Sequence, residues 1–140
     1  MLAIDARAGY ERIGDLDYNM IWTMINPRIR LGDHFFMLPE VRLTKWINDY
    51  GFVPDTLPTE IFFGRRNNLS IESILRARYV FTPTSALSLS LRHSYFDVDY
   101  QDFYLLEQNG DLSAADLEGV NDLNFNTFNV DFKFSWWFAP

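Results

Sequence analysis

The chain has 140 residues, a formal net charge of −7 and a pI near 4.6. That length permits one domain with a sizeable core, the acidic balance excludes nucleic acid as a partner, and the absence of cysteine removes disulfides, thiolate metal sites and a cysteine nucleophile. No run of eighteen or more apolar residues occurs, so no helix crosses a membrane, while a mean hydropathy of −0.14 fits either a soluble β-domain or barrel strands that hide their apolar face in alternation.

The first strand alternates cleanly: Leu2, Ile4, Ala6, Ala8 and Tyr10 fall on one side, Asp5, Arg7 and Glu11 on the other. Met1 leads straight into this pattern, with no charged segment, apolar core and cleavage site of a secretory signal. If the chain belongs to the outer membrane, it is expected to be a fragment. A short polar connection, 13 to 19, leads to a second strand in which Ile21, Thr23, Ile25, Ile29 and Leu31 oppose Trp22, Asn26, Arg28 and Arg30. Pro27 cannot donate to a ladder and predicts a bulge or an unpaired site there.

After a tight turn at Gly32-Asp33, a third strand carries Phe35, Met37, Val41 and Leu43 on one face and Glu40, Arg42 and Thr44 on the other, ending near Ile47. Residues 48 to 60 hold two prolines and a glycine and predict a long loop. Ile71, Ser73, Leu75, Ala77, Tyr79 and Phe81 then oppose Glu72, Arg76 and Arg78 in a fourth strand. A turn at Thr82-Pro83-Thr84-Ser85 opens a fifth, with Leu87, Leu89 and Leu91 against Ser88, Ser90 and Arg92. Residues 97 to 124 are acidic, hold no lysine or arginine, and contain the hairpin signal Asn109-Gly110, which predicts an acidic external loop with a small hairpin of its own.

The sixth strand has the clearest period of two. Phe128, Val130, Phe132, Phe134 and Trp136 alternate with Asn129, Asp131, Lys133 and Ser135, and Phe138 continues the apolar row. About a dozen residues exceed the usual five or six of a soluble strand, whereas nine to eleven tilted residues span a bilayer. Short connections (32 to 34, 82 to 86 and the Ala139-Pro140 end) alternate with polar or longer ones (13 to 19, 48 to 60, 97 to 124), as periplasmic turns and external loops do in outer-membrane barrels. The expected fold is all-β, an antiparallel up-and-down meander of about six long strands forming an incomplete, open transmembrane β-barrel segment over residues 1 to 140.

FFGRR (62 to 66), LRARYVFTP (75 to 83), LSLRHSYFDVDYQDFYLLEQNGDL (89 to 112) and NFNTFNVDFKFSWWFAP (124 to 140) resemble the C-terminal part of a bacterial family of unknown function. In that family this part follows an N-terminal domain similar to a family-nine carbohydrate-binding module. The resemblance implies an outer-membrane β-barrel of a Gram-negative bacterium, linked to carbohydrate handling or at most a carbohydrate hydrolase. The N-terminal module and a final strand of the family pattern are missing here, so no sugar-binding role of that module transfers to residues of this chain.

Two readings of the strand faces follow. In the barrel reading Leu87, Leu89, Leu91, Phe128, Val130, Phe132, Phe134 and Trp136 face lipid. Arg28, Arg30, Arg42, Glu72, Arg76, Arg78, Arg92, Asp131 and Lys133 then line a lumen, as a track for a glycan or small polar solute or as cross-strand ion pairs. In the second reading the same apolar faces meet in the sealed core of a soluble glycan-binding β-domain. Aromatic residues make up 17% of the chain, and Tyr10, Trp46, Tyr95 and Trp136 near strand ends fit interfacial girdles.

Site chemistry beyond this is sparse. Asp97, Asp99 and Asp102 are weak candidates for a metal, since an EF-hand needs glycine where Asp102 stands and a bidentate glutamate where Gln108 stands. The same carboxylates could serve a glycosidase only if two faced each other across a cleft. His34 and His93 lack a nucleophile motif beside them, and Arg65-Arg66 fits either an anion clamp or a pair at the headgroup boundary. No catalytic residue and no cofactor is expected, and the expected partners are a lipid bilayer and the rest of the same barrel.

Overall fold

A computed structural model of the chain describes residues 1–53, 60–117 and 122–138. The expected positions 54–59, Glu118 and the Ala139-Pro140 end lie outside these residues. Seven strands form one antiparallel sheet: β1 (Leu2–Ile13), β2 (Tyr18–Leu31), β3 (Phe35–Phe52), β4 (Phe62–Thr82), β5 (Ser85–Leu106), β6 (Leu112–Ala115) and β7 (Leu123–Trp136). β1 to β5 pair in chain order, and both β6 and β7 pair with the far edge of β5, β6 along Phe103–Leu106 and β7 along Ser85–Val98. β6 and β7 thus lie along the same edge of β5. The result is the all-β meander of six long strands, an open half-barrel, that the alternation predicts.

The connections at one end are tight. Gly32 takes φ 66° in the β2–β3 turn, and Trp137 donates its N–H to the Thr84 carbonyl at 2.9 Å beside the β4–β5 turn. At the other end, β1 and β2 are joined by a single 3-10 turn, Gly14–Leu16, closed by Asp17 at φ 50°. The Asn109-Gly110 hairpin forms as predicted, with Gly110 at φ 91° and its N–H donated to the Glu107 carbonyl.

Two expectations from the sequence are corrected, and the choice between a bulge and an unpaired site at Pro27 is decided for the second. β3 does not stop near Ile47: the register shifts at Asn48, which takes φ 55°, and pairing resumes at Asp49 and continues to Phe52. An asparagine tolerates that left-handed conformation, so a bulge replaces the expected loop start. The acidic stretch 97 to 124 is strand as far as Leu106, because Asp97, Asp99 and Asp102 sit opposite Leu69, Asn67 and Arg65 of β4. Pro27 makes no bulge. Ile25 opposite Val41 and Ile29 opposite Met37 keep one register, which places Pro27 across from Pro39, and the ladder opens where neither residue can donate.

Burial is uneven. Most of the buried residues (Val53, Phe62, Asn68 and Val98) gather at the long-strand end, with Ala86 beside the β4–β5 turn, while Phe128, Phe132 and Phe134 stay more than half exposed. A sheet shields the face toward which it curls, so the central positions of the charged side (Ile74 at 8%) are covered and the apolar side is not. The outward edge of β1, by contrast, is unpaired along its length among the described residues.

Candidate functional site: a charged face and an apolar belt

Because strand register fixes which side chains share a face, the sheet reads as rungs. On one face, Arg30, Phe36, Arg78, Ser88 and Lys133 form the rung nearest the tight turns. Leu38, Arg76, Ser90 and Asp131 form the next, and Glu40, Ile74, Arg92 and Asn129 the one after. Then come Met24, Arg42, Glu72, Ser94 and Thr127, with Arg28 opposite Ala3 on the β1 side. All nine charged residues proposed from the sequence as one lining share this face.

They do not behave as one group. Arg42 reaches Glu40 at 3.4 Å and Glu72 at 3.7 Å, Arg92 reaches Glu72 at 4.0 Å, Arg28 reaches Asp5 at 3.0 Å and Arg30 reaches Asp33 at 2.8 Å. These side chains are partly exposed, so each pair contributes at most about 1 kcal/mol. Among the described residues, Arg76, Arg78, Lys133 and Asp131 have no oppositely charged group within 4.0 Å. With Phe36, Leu38, Ser88 and Ser90 they border a hollow of ≈ 440 Å³ whose surface is mostly apolar.

Farther along the same face, sequence reasoning missed a polar knot. Asp49 accepts from Arg66 Nε at 2.9 Å and from Asn68 Nδ2 at 2.8 Å, while Asn68 is 5% exposed. Gly51 and Gly64 make room for it: a Cβ on Gly51 would overlap the Arg66 guanidinium, and one on Gly64 would lie 2.6 Å from Tyr100 Cδ1. The two glycines, each two residues from a bulky neighbour's rung, were the available signal.

The opposite face is an apolar belt. Its rungs run Leu31, Phe35, Tyr79, Leu87, Phe134, then Ile29, Met37, Ala77, Leu89, Phe132. Leu75, Leu91 and Val130 follow, then Ile25, Val41, Ser73, His93 and Phe128. On β5 and β7 the belt then stops. Just beyond Tyr95, one rung runs Ile21, Lys45, Leu69, Asp97 and Asn124, and Asn124 Nδ2 donates both to the Tyr95 hydroxyl at 2.9 Å and to Asp97 at 3.0 Å.

The remaining sequence candidates separate. Tyr10, Tyr95 and Trp136 lie on the belt face, but Trp46 is opposite Asn68 on the charged face, edge-on to Phe96 at 6.4 Å, and is no part of a girdle on the belt side. A strand sends neighbouring side chains to opposite faces, so Arg65 and Arg66 make no joint clamp: Arg66 pairs with Asp49, Arg65 with Asp102. Asp97 accepts from Asn124, and no cluster of three His, Asp or Glu residues suited to a metal occurs among the described residues. His34 Nδ1 lies 2.8 Å from the Val80 carbonyl and His93 Nε2 2.9 Å from Asn126 Oδ1, which places neither imidazole beside a nucleophile. Beyond the belt, burial and a hydrogen bond with Tyr50 push the Tyr104 hydroxyl above its ordinary value.

The family model of the Domain of unknown function (DUF5916) matches residues 1–140. The chain belongs to this family. No curated protein and no solved structure matches it. The DUF5916 match takes in β1 to β3 as well as the β4 to β7 region that carries the motifs SWWFAP and LRHSYF. Both faces of the sheet therefore belong to a single DUF5916 region.

Proposed function

We propose that this DUF5916 chain is the wall of an outer-membrane β-barrel in a Gram-negative envelope, its apolar belt against acyl chains and its charged face toward a water-filled interior, as scaffold or channel. The observation that carries the reading is the bounded belt. On β7 it runs from Phe128 to Trp136 and on β5 from Leu87 to Tyr95, and polar Asn124, Asn126, Asp97 and Asp99 take over the same face beyond it. Nine positions match the roughly nine to eleven residues of a tilted membrane strand. Trp136 and Phe138 pair at one rim and Tyr10 and Tyr95 lie near the other, the placement of interfacial aromatics.

Exposure supports the same reading. Water leaves few large apolar side chains uncovered in a contiguous patch, yet Ile21, Ile25, Val41, Phe128, Val130, Phe132, Phe134 and Trp136 are each 47% exposed or more. A soluble glycan-binding domain needs these residues to meet a second layer, and among the described residues no second sheet covers them. Six long strands are fewer than the eight of the smallest outer-membrane barrels, so further strands of the same protein complete the wall along the free edge of β1 and the outer edge of β7. The link to carbohydrate handling rests on the family resemblance alone.

The test is flotation. Refolded with phosphatidylcholine vesicles, the chain is expected to rise with lipid in a density gradient, and the full-length gene product to fractionate with the outer membrane and migrate differently on gels with and without heating. A chain that stays folded and monomeric in water without detergent, and remains at the bottom of the gradient, refutes the proposal.

A further inference from the structure

Strands β3 to β5 run on past the rim of the belt as a tongue. β2 begins with Asn19 opposite Ile47 and β7 begins with Leu123 opposite Val98, whereas β3 continues to Phe52, β4 starts at Phe62 and β5 reaches Leu106. β6 widens the tongue by pairing with Phe103–Leu106. From Arg66 to Phe62 it extends about five residues, roughly 15 Å of strand.

The tongue is bent at its base. Both neighbours of β4 take up one extra residue at the level of Arg66, β3 between Trp46 and Asp49, and β5 at Gln101 between Tyr100 and Asp102. A bulge bends its strand, and two at one level bend the tongue as a unit. Burial gives the direction. Val53 and Phe62 on the charged side are buried, while Phe52 and Ile61 on the other side are each 48% exposed or more, so the tongue leans toward the charged side.

The side chains at the bend hold it there. Gly51 and Gly64 stand directly opposite each other. The Arg66 guanidinium lies over Gly51 and the Tyr100 ring over Gly64, in space that a Cβ at either glycine would take. Asp49 fixes Arg66 at 2.9 Å and buried Asn68 at 2.8 Å. Asn48 secures the bulge itself, donating its N–H to Asn67 Oδ1 at 3.2 Å and its Nδ2 to the Asp17 carbonyl at 3.1 Å, which ties the base of the tongue to the β1–β2 turn. The Asp49 contacts join β3 to β4, two interior strands, so further strands beside β1 or β7 leave them in place.

We propose that this tongue is a constriction over the mouth of the barrel, with Asp49 as its latch. The inference rests on the membrane reading above and adds to it where passage is limited: at the mouth, by the bent ends of β3 to β5, and not along the charged wall.

The experiment is single-channel conductance of the full-length gene product in planar bilayers bathed in potassium chloride. Asp49→Ala, which frees Arg66 and Asn68, is expected to raise the conductance at least about twofold, because the narrowest section of a pore sets its current. Asp49→Asn keeps an acceptor oxygen and is expected to raise it less. Arg65→Gln breaks the pair with Asp102 on the opposite side of the tongue and is expected to leave the conductance at the wild-type value, which separates release of the latch from general loosening. Heat-modifiable migration on gels shows that each variant still folds, and should Asp49→Ala lose it, Asp49→Asn carries the test. Unchanged conductance in the folded Asp49 variants, or an equal rise in Arg65→Gln, overturns the constriction and leaves the flotation result standing. Failure to float overturns the membrane reading and the constriction together.

Discussion

Replacing Phe132 with arginine separates the two media that the apolar face could meet. Phe132 is 69% exposed and lies midway between Phe128 and Trp136 on β7, opposite Leu89. Four residues in each direction at about 3.3 Å per residue, tilted by 35–45°, put it roughly 10 Å from either rim of a belt about 20 Å deep, against the ~25 Å apolar band of outer-membrane strands. In lipid, an arginine at that depth costs about 2–4 kcal/mol, a loss of roughly 30- to 700-fold in the folding equilibrium at 1.4 kcal/mol per factor of ten. In water the same change at an exposed site stays within about 0.5 kcal/mol. Phe125→Arg is the matched control, since Phe125 is 58% exposed but stands on the charged face opposite Phe96. The assay is urea titration of the chain folded into phosphatidylcholine vesicles, followed by tryptophan fluorescence. Phe132→Arg should lower the midpoint strongly and Phe125→Arg hardly at all. Equal effects of the two substitutions would refute the assignment of the belt to acyl chains.

Other perturbations probe the long-strand end. Asp49→Ala strips the acceptor from both Arg66 and buried Asn68, so a loss of about 1–3 kcal/mol is expected in denaturant unfolding, with Asp49→Asn, which keeps an acceptor oxygen, recovering part of it. Gly64→Ala drives a methyl against Tyr100 and, at 3.2 Å, against fully buried Val53; overpacking of this kind costs about 1–3 kcal/mol, while Gly14→Ala, with open space around it, should leave the unfolding midpoint in place. The Tyr104 hydroxyl is held above 10.0 by burial and by Tyr50. The fold therefore favours its protonated form, and that stabilisation is complete below pH 10, then disappears as pH rises through the folded value. Spectroscopic titration should show a late-ionising tyrosine that moves toward the ordinary value in Tyr50→Phe.

Alternation made both faces legible before any coordinates. Phe128 to Trp136, Leu87 to Leu91 and Ile71 to Phe81 carry a period of two long enough to assign strand and side together. The same rule failed wherever pairing depended on a partner far along the chain. Nothing local to Asn48 says that Asp49 will resume a ladder with Arg66, because a bulge is decided by the register of the opposing strand. The acidic composition of 97 to 106 looked like a loop because repulsion among carboxylates disfavours compact structure, but Arg65 on the facing strand pairs with Asp102 and the β4 ladder takes that stretch into the sheet.

What the sequence determined by itself is the chemistry of each face, since side-chain direction in a strand is fixed by residue parity and needs no partner. What only the tertiary structure decided is which charges on that face neutralise one another. Glu72 sits between Arg42 and Arg92, and Ser88 between Arg78 and Lys133, because antiparallel register aligns residues tens of positions apart. Coulomb attraction between exposed charges is screened beyond about 10 Å in salt water and is strongest at contact, so those alignments turn one uniform row of charges into a paired stretch and an unpaired one.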